Sequence, residues 1–291
     1  MSQGGERRFR AGLVQLRSGR SVGPNLDKAE ALIRRAAKGG AVYVQTPENT
    51  GLMELKPELV VEAAETEGKN VALARLKALA RELRIWLHVG SLAVKLDKVR
   101  VANRSYLIDP EGRIAARYDK LHMFDVDLPG GESYRESQYF KPGDKAMLAD
   151  LPFGRLGLSI CYDLRFPALY RALASAGAEV IAVPSAFTKQ TGEAHWRVLI
   201  RARAIETGAF VLAATQGGLH ENGRSTYGHS LVVSPWGEVL AEGGEDPCVI
   251  FADIDLAASA EARARIPALK HGSDFAVEIA GLSERTTQEA S

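Results

Sequence analysis

LGLSICYDLRFP, residues 156–167, is the stretch from which the rest of the chain can be read outward. Its apolar run, Leu156 to Ile160, predicts a short buried strand, and Ala168 to Gly177 (ALYRALASAG) predicts a helix closed by glycine. Cys161 therefore falls at a strand-to-helix turn. A nucleophile there projects from a sheet end, beside the backbone N–H groups of the following helix start. Those amides favour a thiolate and later an oxyanion. The alternative is that Cys161 is a small buried hydrophobe, and the remaining chain must decide between the two.

A chain of 291 residues is long enough to bury a sizeable core, as one large α/β domain or two ordinary ones. A net charge of +1 provides no basic field for nucleic acid or an anionic membrane surface. No apolar run reaches the roughly 18 residues that would span a bilayer. The opening MSQGGERRFRAG is charged and lacks the apolar centre of a secretory signal, which predicts a cytoplasmic protein. Of the two cysteines, Cys248 lies in a strand-like run (CVIFADI) and reads as core, so no disulfide framework is expected. The histidines show no metal-ligand spacing, and no metal site is expected.

In chain order, strands are predicted at Phe9–Leu16, Ala41–Thr46 and Ile85–Ser91, with helices over Asn25–Lys38 and Asn70–Leu83. The second strand runs into Pro47-Glu48-Asn49, so Glu48 stands just past a strand end, where open α/β sheets place ligand-binding residues. Arg104 to Ala116 forms a hairpin through Asp109-Pro110-Glu111-Gly112 and delivers Lys120. The glycine-rich, aromatic stretch 124–143 is expected to be an ordered loop over a site. Beyond the Cys161 turn come a strand at Glu179–Val183, a helix at His195–Thr207, a strand at Phe210–Thr215 and a hairpin over Ser230–Leu240 through Ser234-Pro235-Trp236-Gly237.

The second half echoes the first. Ile85–Ser91 matches Phe210–Gln216, and DPEG matches SPWG, both at an offset of 125 residues. Two units of like build each need one sheet face covered by helices and the other buried elsewhere. The expected fold is α/β: a four-layer α-β-β-α sandwich with an internal pseudo-two-fold repeat. A single doubly wound sheet competes, but the two hairpins bring antiparallel pairs that it lacks. One domain is expected over residues 1–291, with its core at about 9–266 and a polar tail from about 270.

Glu48, Lys120 and Cys161 all stand at ends of strands or hairpins. Each alone reads more simply as a loop or surface residue, or as core, but together their chemistry is complementary. A carboxylate can take the thiol proton, and an ammonium stabilises both the thiolate and the oxyanion formed on a carbonyl.

TPEN around Glu48, YDKLHMFD around Lys120 and ICYDLRFP around Cys161 resemble the three signatures of the nitrilase superfamily of carbon-nitrogen hydrolases. The resemblance runs from Phe9 to about Ile266 and is nearest to the Nit branch of small amidases. It implies the sandwich fold, a homodimer or larger assembly, and no metal or organic cofactor. It implies hydrolysis of a terminal amide of a 2-oxo or dicarboxylic acid, to acid and ammonia, through a thioester on Cys161. Deaminated glutathione is the implied substrate and 2-oxoglutaramate the alternative, followed by a nitrile, with a non-catalytic binding protein last.

Glu48 would be the acid/base, and Lys120 with the Tyr162 backbone N–H would hold the oxyanion. Glu136, chosen over Glu132 by the ES-x-x-x-x-PG spacing, would orient Lys120 and the substrate amide. Arg165 and Thr191 would bind the substrate carboxylate, with Phe187 lining the pocket. The competing role for Arg165 is an internal pair with Asp163. Leu52 and Glu193 depart from the branch pattern, whereas His195, Trp196 and His229 read as structural.

Overall fold

The computed structural model describes residues 7–280. One six-stranded sheet contains β1 (Arg8–Gln15), β2 (Tyr43–Gln45), β3 (Trp86–Lys95), β4 (Val101–Ile108), β5 (Ile114–Asp119) and β16 (Cys248–Asp255), in the order β16-β1-β2-β3-β4-β5. The other contains β8 (Met147–Leu151), β9 (Gly154–Leu158), β10 (Val180–Ala182), β11 (Phe210–Ala213), β14 (Leu231–Val233) and β15 (Val239–Glu242), in the order β15-β14-β11-β10-β9-β8. Read from opposite ends, the sheets share one pattern. An antiparallel outer pair is followed by two parallel pairs and then two antiparallel ones. The expected repeat is present, with the turns DPEG and SPWG between the last strand pairs at the expected offset of 125, but the strand registers pair Trp86 rather than Ile85 with Phe210, an offset of 124.

Side-chain alternation makes the layers. On β1, Phe9, Ala11 and Leu13 join the cluster formed with the second sheet, and Phe9 stacks on Phe153 at 4.0 Å. Val14 faces the opposite way and joins the cluster under the helices. Those helices are α1 (Val22–Lys38), burying Leu26, Ala29, Ile33 and Ala36 at helical spacing, and α3 (Val71–Leu83), burying Leu73, Leu76 and Ala80. The α3 start is fixed by Asn70, whose Oδ1 accepts the Leu73 N–H at 2.8 Å, a cap worth about 1 kcal/mol. The second sheet is covered by α4 (Pro167–Ser175) and α5 (Lys189–Thr207).

Differences from the sequence expectation are local. The helix expected from His195 begins at Lys189, because the Thr188 side chain caps the Thr191 N–H and starts it six residues earlier. Within 124–143 lies a hairpin, β6 (Asp125–Asp127) with β7 (Ser133–Arg135), followed by a 3-10 turn over Glu136–Gln138. Short α2 (Pro57–Ala63), the β12 (Gly217–Leu219) to β13 (Ser225–Tyr227) hairpin, and α6 (Ala257–Arg265) have no counterpart in the sequence reading. Cys248 is half-buried at the start of β16 rather than fully core. The polar tail runs as exposed irregular chain to residue 280, and its last part lies outside the described residues. Among the described residues, no helix is long and apolar enough to cross a membrane.

Candidate active site

Three strand ends and one loop converge on a cavity of about 450 Å³ that is lined by Glu48, Lys120, Glu136 and Cys161. Glu48 arrives on the exit from β2. The exit passes so close to β3 that a Cβ on Gly90 would lie 2.2 Å from the Thr46 carbonyl oxygen, which only glycine permits. The turn is then tied down: Thr50 Oγ1 donates to the Pro47 carbonyl at 2.7 Å, and Gln216 Nε2 donates to the Glu48 carbonyl at 3.0 Å. Lys120 follows β5. Its N–H donates to the Asn103 carbonyl at 3.0 Å, and its own carbonyl accepts from Gly143 at 2.9 Å. Gly143 is the glycine of the ES-x-x-x-x-PG run, and a Cβ there would meet the Asp119 carbonyl oxygen at 2.4 Å.

Lys120 Nζ donates to Glu48 Oε1 at 2.9 Å and to Glu136 Oε2 at 2.8 Å, with all three side chains nearly closed to solvent. Asn103, absent from the sequence reading, donates its amide to Glu48 Oε1 at 2.9 Å and to Glu136 Oε1 at 3.1 Å. A neutral donor shared by two buried acids relieves their repulsion without adding charge. Glu136 Oε2 also accepts the Phe124 N–H at 2.7 Å. Both Glu136 oxygens are thus occupied by the chain itself. Glu132 is on the cavity wall too, but it accepts from the Tyr134 hydroxyl at 3.1 Å rather than from Lys120.

Cys161 opens a 3-10 turn, Cys161–Arg165, that precedes α4, and its φ of +48° lies in the left-handed region disfavoured for a non-glycine residue. Such strain persists only where the surroundings over-determine it. Here the Cys161 N–H donates to the Pro184 carbonyl at 2.9 Å, and Asp163 braces the turn from beneath. The Asp163 carboxylate accepts from the Ile160 N–H at 2.8 Å, the Tyr118 hydroxyl at 2.7 Å and the His122 N–H at 3.1 Å, and His122 Nδ1 is 2.7 Å away. Asp163 is therefore fully engaged inside the protein. The internal pair that competed for Arg165 does not form.

The charges settle in a definite pattern. Burial pushes the Glu48 carboxyl up, but the Lys120 ammonium and the Cys161 thiol hydrogen bond outweigh it and hold Glu48 below its ordinary range. Burial pulls Lys120 down, yet Glu136 and Glu48 leave it firmly protonated. Burial and the Glu48 charge push the Cys161 thiol well up, against Lys120 and an Ala186 backbone hydrogen bond that favour the thiolate. The free site thus holds a thiol beside a carboxylate and an ammonium, not the resting thiolate expected from the turn amides. A buried carboxylate next to a thiol is arranged to take its proton as the sulfur attacks.

The remaining expected residues line the same cavity. Tyr162 and Phe187 lie under the Arg165 guanidinium at 5.9 and 5.5 Å, and Arg165 also approaches His195 Nδ1 at 3.3 Å. Thr191 is in the wall, but its hydroxyl already pairs with Thr188 at 2.8 Å. Leu52 is a lining residue, whereas Glu193 is exposed on α5. Trp196 is buried, with its Nε1 donating to the His229 carbonyl at 2.8 Å, and His229 Nδ1 lies 3.0 Å from Glu242, so both are structural. His195 is exposed rather than packed. Arg224, from the turn of the β12–β13 hairpin, also enters the wall; a lone arginine in a polar run gives no sequence signal for that.

Residues 10–264 match the carbon-nitrogen hydrolase family. The chain is 38% identical over 275 residues to the deaminated glutathione amidase of Yersinia enterocolitica, covering 94% of this chain and 96% of that one. It is 36% identical over 273 residues to the human omega-amidase NIT2, covering 93% of this chain and 98% of that one. The crystal structure of the C. elegans NitFhit protein superposes with a TM-score of 0.86 at 37% identity, covering 94% of this chain and 66% of that chain, just under two thirds of its length. A family match that runs from β1 into α6, on a fold shared with a solved Nit structure, leaves one assignment: the chain belongs to the carbon-nitrogen hydrolase family.

Proposed function

We propose that the protein cleaves the amide of a 2-oxo acid through a thioester on Cys161, with deaminated glutathione as its substrate. The observation that carries the reading is the Lys120 ammonium held between the Glu48 and Glu136 carboxylates in the wall of the cavity that Cys161 also lines. Glu48 takes the thiol proton as Sγ bonds to the amide carbon, and the oxyanion so formed is met by Lys120 Nζ and the Tyr162 N–H. Glu48 returns the proton to the departing nitrogen as the C–N bond breaks. It then takes a proton from the water that attacks the thioester, and the acid leaves as the Cys161 S–H re-forms. Glu136 positions Lys120 and holds no free oxygen for the substrate amide. Arg165 binds the acyl-side carboxylate, with Phe187, Tyr162 and Thr191 shaping the wall around it.

The leaving group depends on the amide. A primary amide such as 2-oxoglutaramate releases ammonia, whereas deaminated glutathione releases the amine of cysteinylglycine, so 2-oxoglutarate is the product common to both. The two relatives named above bear one of these activities each. The catalytic groups come from both halves of the chain, which supports one catalytic domain with its core over about residues 9–266. Two free cysteines fit a reducing, cytoplasmic setting. Exposed Ile205, Trp236 and Ile266 come together at a surface cavity and offer apolar contact area for a homodimer.

The test is release of 2-oxoglutarate from each substrate, together with mass spectrometry of E48Q after incubation. Turnover by the wild type, a loss of about 10²- to 10⁴-fold in E48Q, and an acyl adduct on Cys161 are expected. A folded protein that releases 2-oxoglutarate from neither substrate sinks the substrate assignment. An adduct confined to another residue sinks the mechanism.

A further inference from the structure

Three arginines line the cavity. Arg135 is neutralised by Asp127 at 2.7 Å. Arg165 and Arg224 have no carboxylate partner among the described residues: Arg165 meets only His195 and aromatic faces, and Arg224 meets a backbone carbonyl and the Tyr134 ring. Burying a guanidinium without an anion is costly, and most half-buried arginines elsewhere in this protein avoid it, as Arg75 does with Glu30 and Asp27 and Arg104 with Asp119 and Glu67. Two unpaired cations in one cavity therefore fit a ligand that brings two negative groups.

The two stand at different places. Arg165 follows the nucleophile by one turn and lies over Phe187. Arg224 comes from the β12–β13 hairpin. Its Nη2 donates to the Ala186 carbonyl at 2.5 Å, its guanidinium lies 5.1 Å from the Tyr134 ring centre, and its Nε is buried with no partner. With Arg165 given to the acyl-side carboxylate, Arg224, held on a separate hairpin of the same cavity wall, remains for a second acid group, and a substrate with an acid on each side of its amide carries that group on the leaving half. The acid nearest along the hairpin wall, Glu132, is engaged by the Tyr134 hydroxyl.

We infer that Arg224 recognises a carboxylate on the amine half of the substrate, making the preferred substrate an N-substituted amide with an acid group on each side of the scissile bond. This rests on the amidase reading above and narrows it: a peptidyl amide ending in a free carboxylate fits both arginines, whereas a primary amide leaves Arg224 unanswered. Deaminated glutathione has that form, with the 2-oxo acid carboxylate on one side and the glycine carboxylate on the other.

The experiment compares kcat/KM for deaminated glutathione with that for its C-terminal glycinamide, which differs only in the distal charge, in wild type and in R224Q. The wild type is expected to prefer the acid by about 10- to 100-fold, the worth of a charge-assisted hydrogen bond. In R224Q the ratio should fall towards one, whatever common loss follows from releasing Ala186; in R224K, which keeps the charge but not the fork, it should lie between. Equal turnover of acid and glycinamide by the wild type, or a preference that persists in R224Q, overturns the inference while leaving the amidase reading intact. Turnover of neither by folded wild type, with no 2-oxoglutarate from 2-oxoglutaramate, overturns that reading instead.

Discussion

The two halves carry the same strands, the same turns and even the same irregularity: the register shifts between Leu107 and Ile108 in one hairpin and between Val232 and Val233 in the other. Following the strand registers across the repeat pairs Pro47 with Pro184, Glu48 with Ser185, and Cys161 with Leu16. Counting on from the hairpins pairs Lys120 with Glu245. One pole thus gathers thiol, acid and ammonium, while its counterpart has a buried leucine, a serine bonded to its own strand's Val183 carbonyl at 3.0 Å, and an exposed glutamate. Gln15 fills that second pole, donating to the Gly244 and Asp246 carbonyls at 2.6 and 2.7 Å and accepting from the Ser230 N–H at 2.8 Å. Identical scaffolding therefore holds chemistry at one end and hydrogen-bonded packing at the other. The difference lies in the side chains just past the strands and in the 124–143 loop that brings Glu136, where the second half passes almost directly from β15 into β16.

Substitutions at paired positions should expose that asymmetry. C161A should abolish turnover, on the order of 10⁴-fold or more, with little change in thermal unfolding. Its counterpart L16A should lower stability by about 2–5 kcal/mol and leave a thioester still forming on Cys161, read by denaturant melts beside adduct mass. A thioester lost in L16A at full stability would break the distinction. K120Q should cost about 10²- to 10³-fold in kcat, since it removes an oxyanion donor and leaves Glu48 and Glu136 facing each other. E245Q, on the exposed counterpart, should stay within about 0.5 kcal/mol of wild-type stability and show unchanged kcat.

A smaller effect sharpens the comparison inside the core. His88 on β3 corresponds to Leu212 on β11, and it is buried between Tyr43, Gln45 and Ser105, its Nε2 lying 2.6 Å from Ser105 Oγ. Burial drives its pKa down to about 3. The folded state therefore refuses a proton that the unfolded chain accepts, so stability is intact above about pH 6.5 and falls as pH drops towards 3, by at most about 1.4 kcal/mol per unit. Chemical denaturation of wild type and H88Q between pH 7 and 4 checks this. Parallel pH curves would remove His88 as the cause.

The layers and the repeat were legible because periodicity and turn chemistry are local. Apolar alternation marks β1, and proline at the second turn position marks both hairpins. The four charged or nucleophilic residues stood out because they end strands or sit at a fixed spacing to Pro142-Gly143. Asn103 did not, since a polar residue on an otherwise apolar strand carries no sign of which acids it will meet 33 and 55 residues away. The Asp163 brace and Ala186 escaped for the same reason: each acts through contacts that exist only after the sheets have stacked. The early start of α5 was hidden because its first turn faces the cavity and offers Thr188 as cap in place of apolar spacing.

β16 occupies the outer edge of the first sheet, zipped to β1 over eight registered pairs from Arg8 with Asp255 to Gln15 with Cys248. During synthesis the ribosome delivers β1 long before β16, so the first sheet has an open flank until β16 has emerged. Closure of that flank is a late event of biogenesis, and a truncated product ending before residue 248 would expose the β1 backbone to strand pairing with its neighbours.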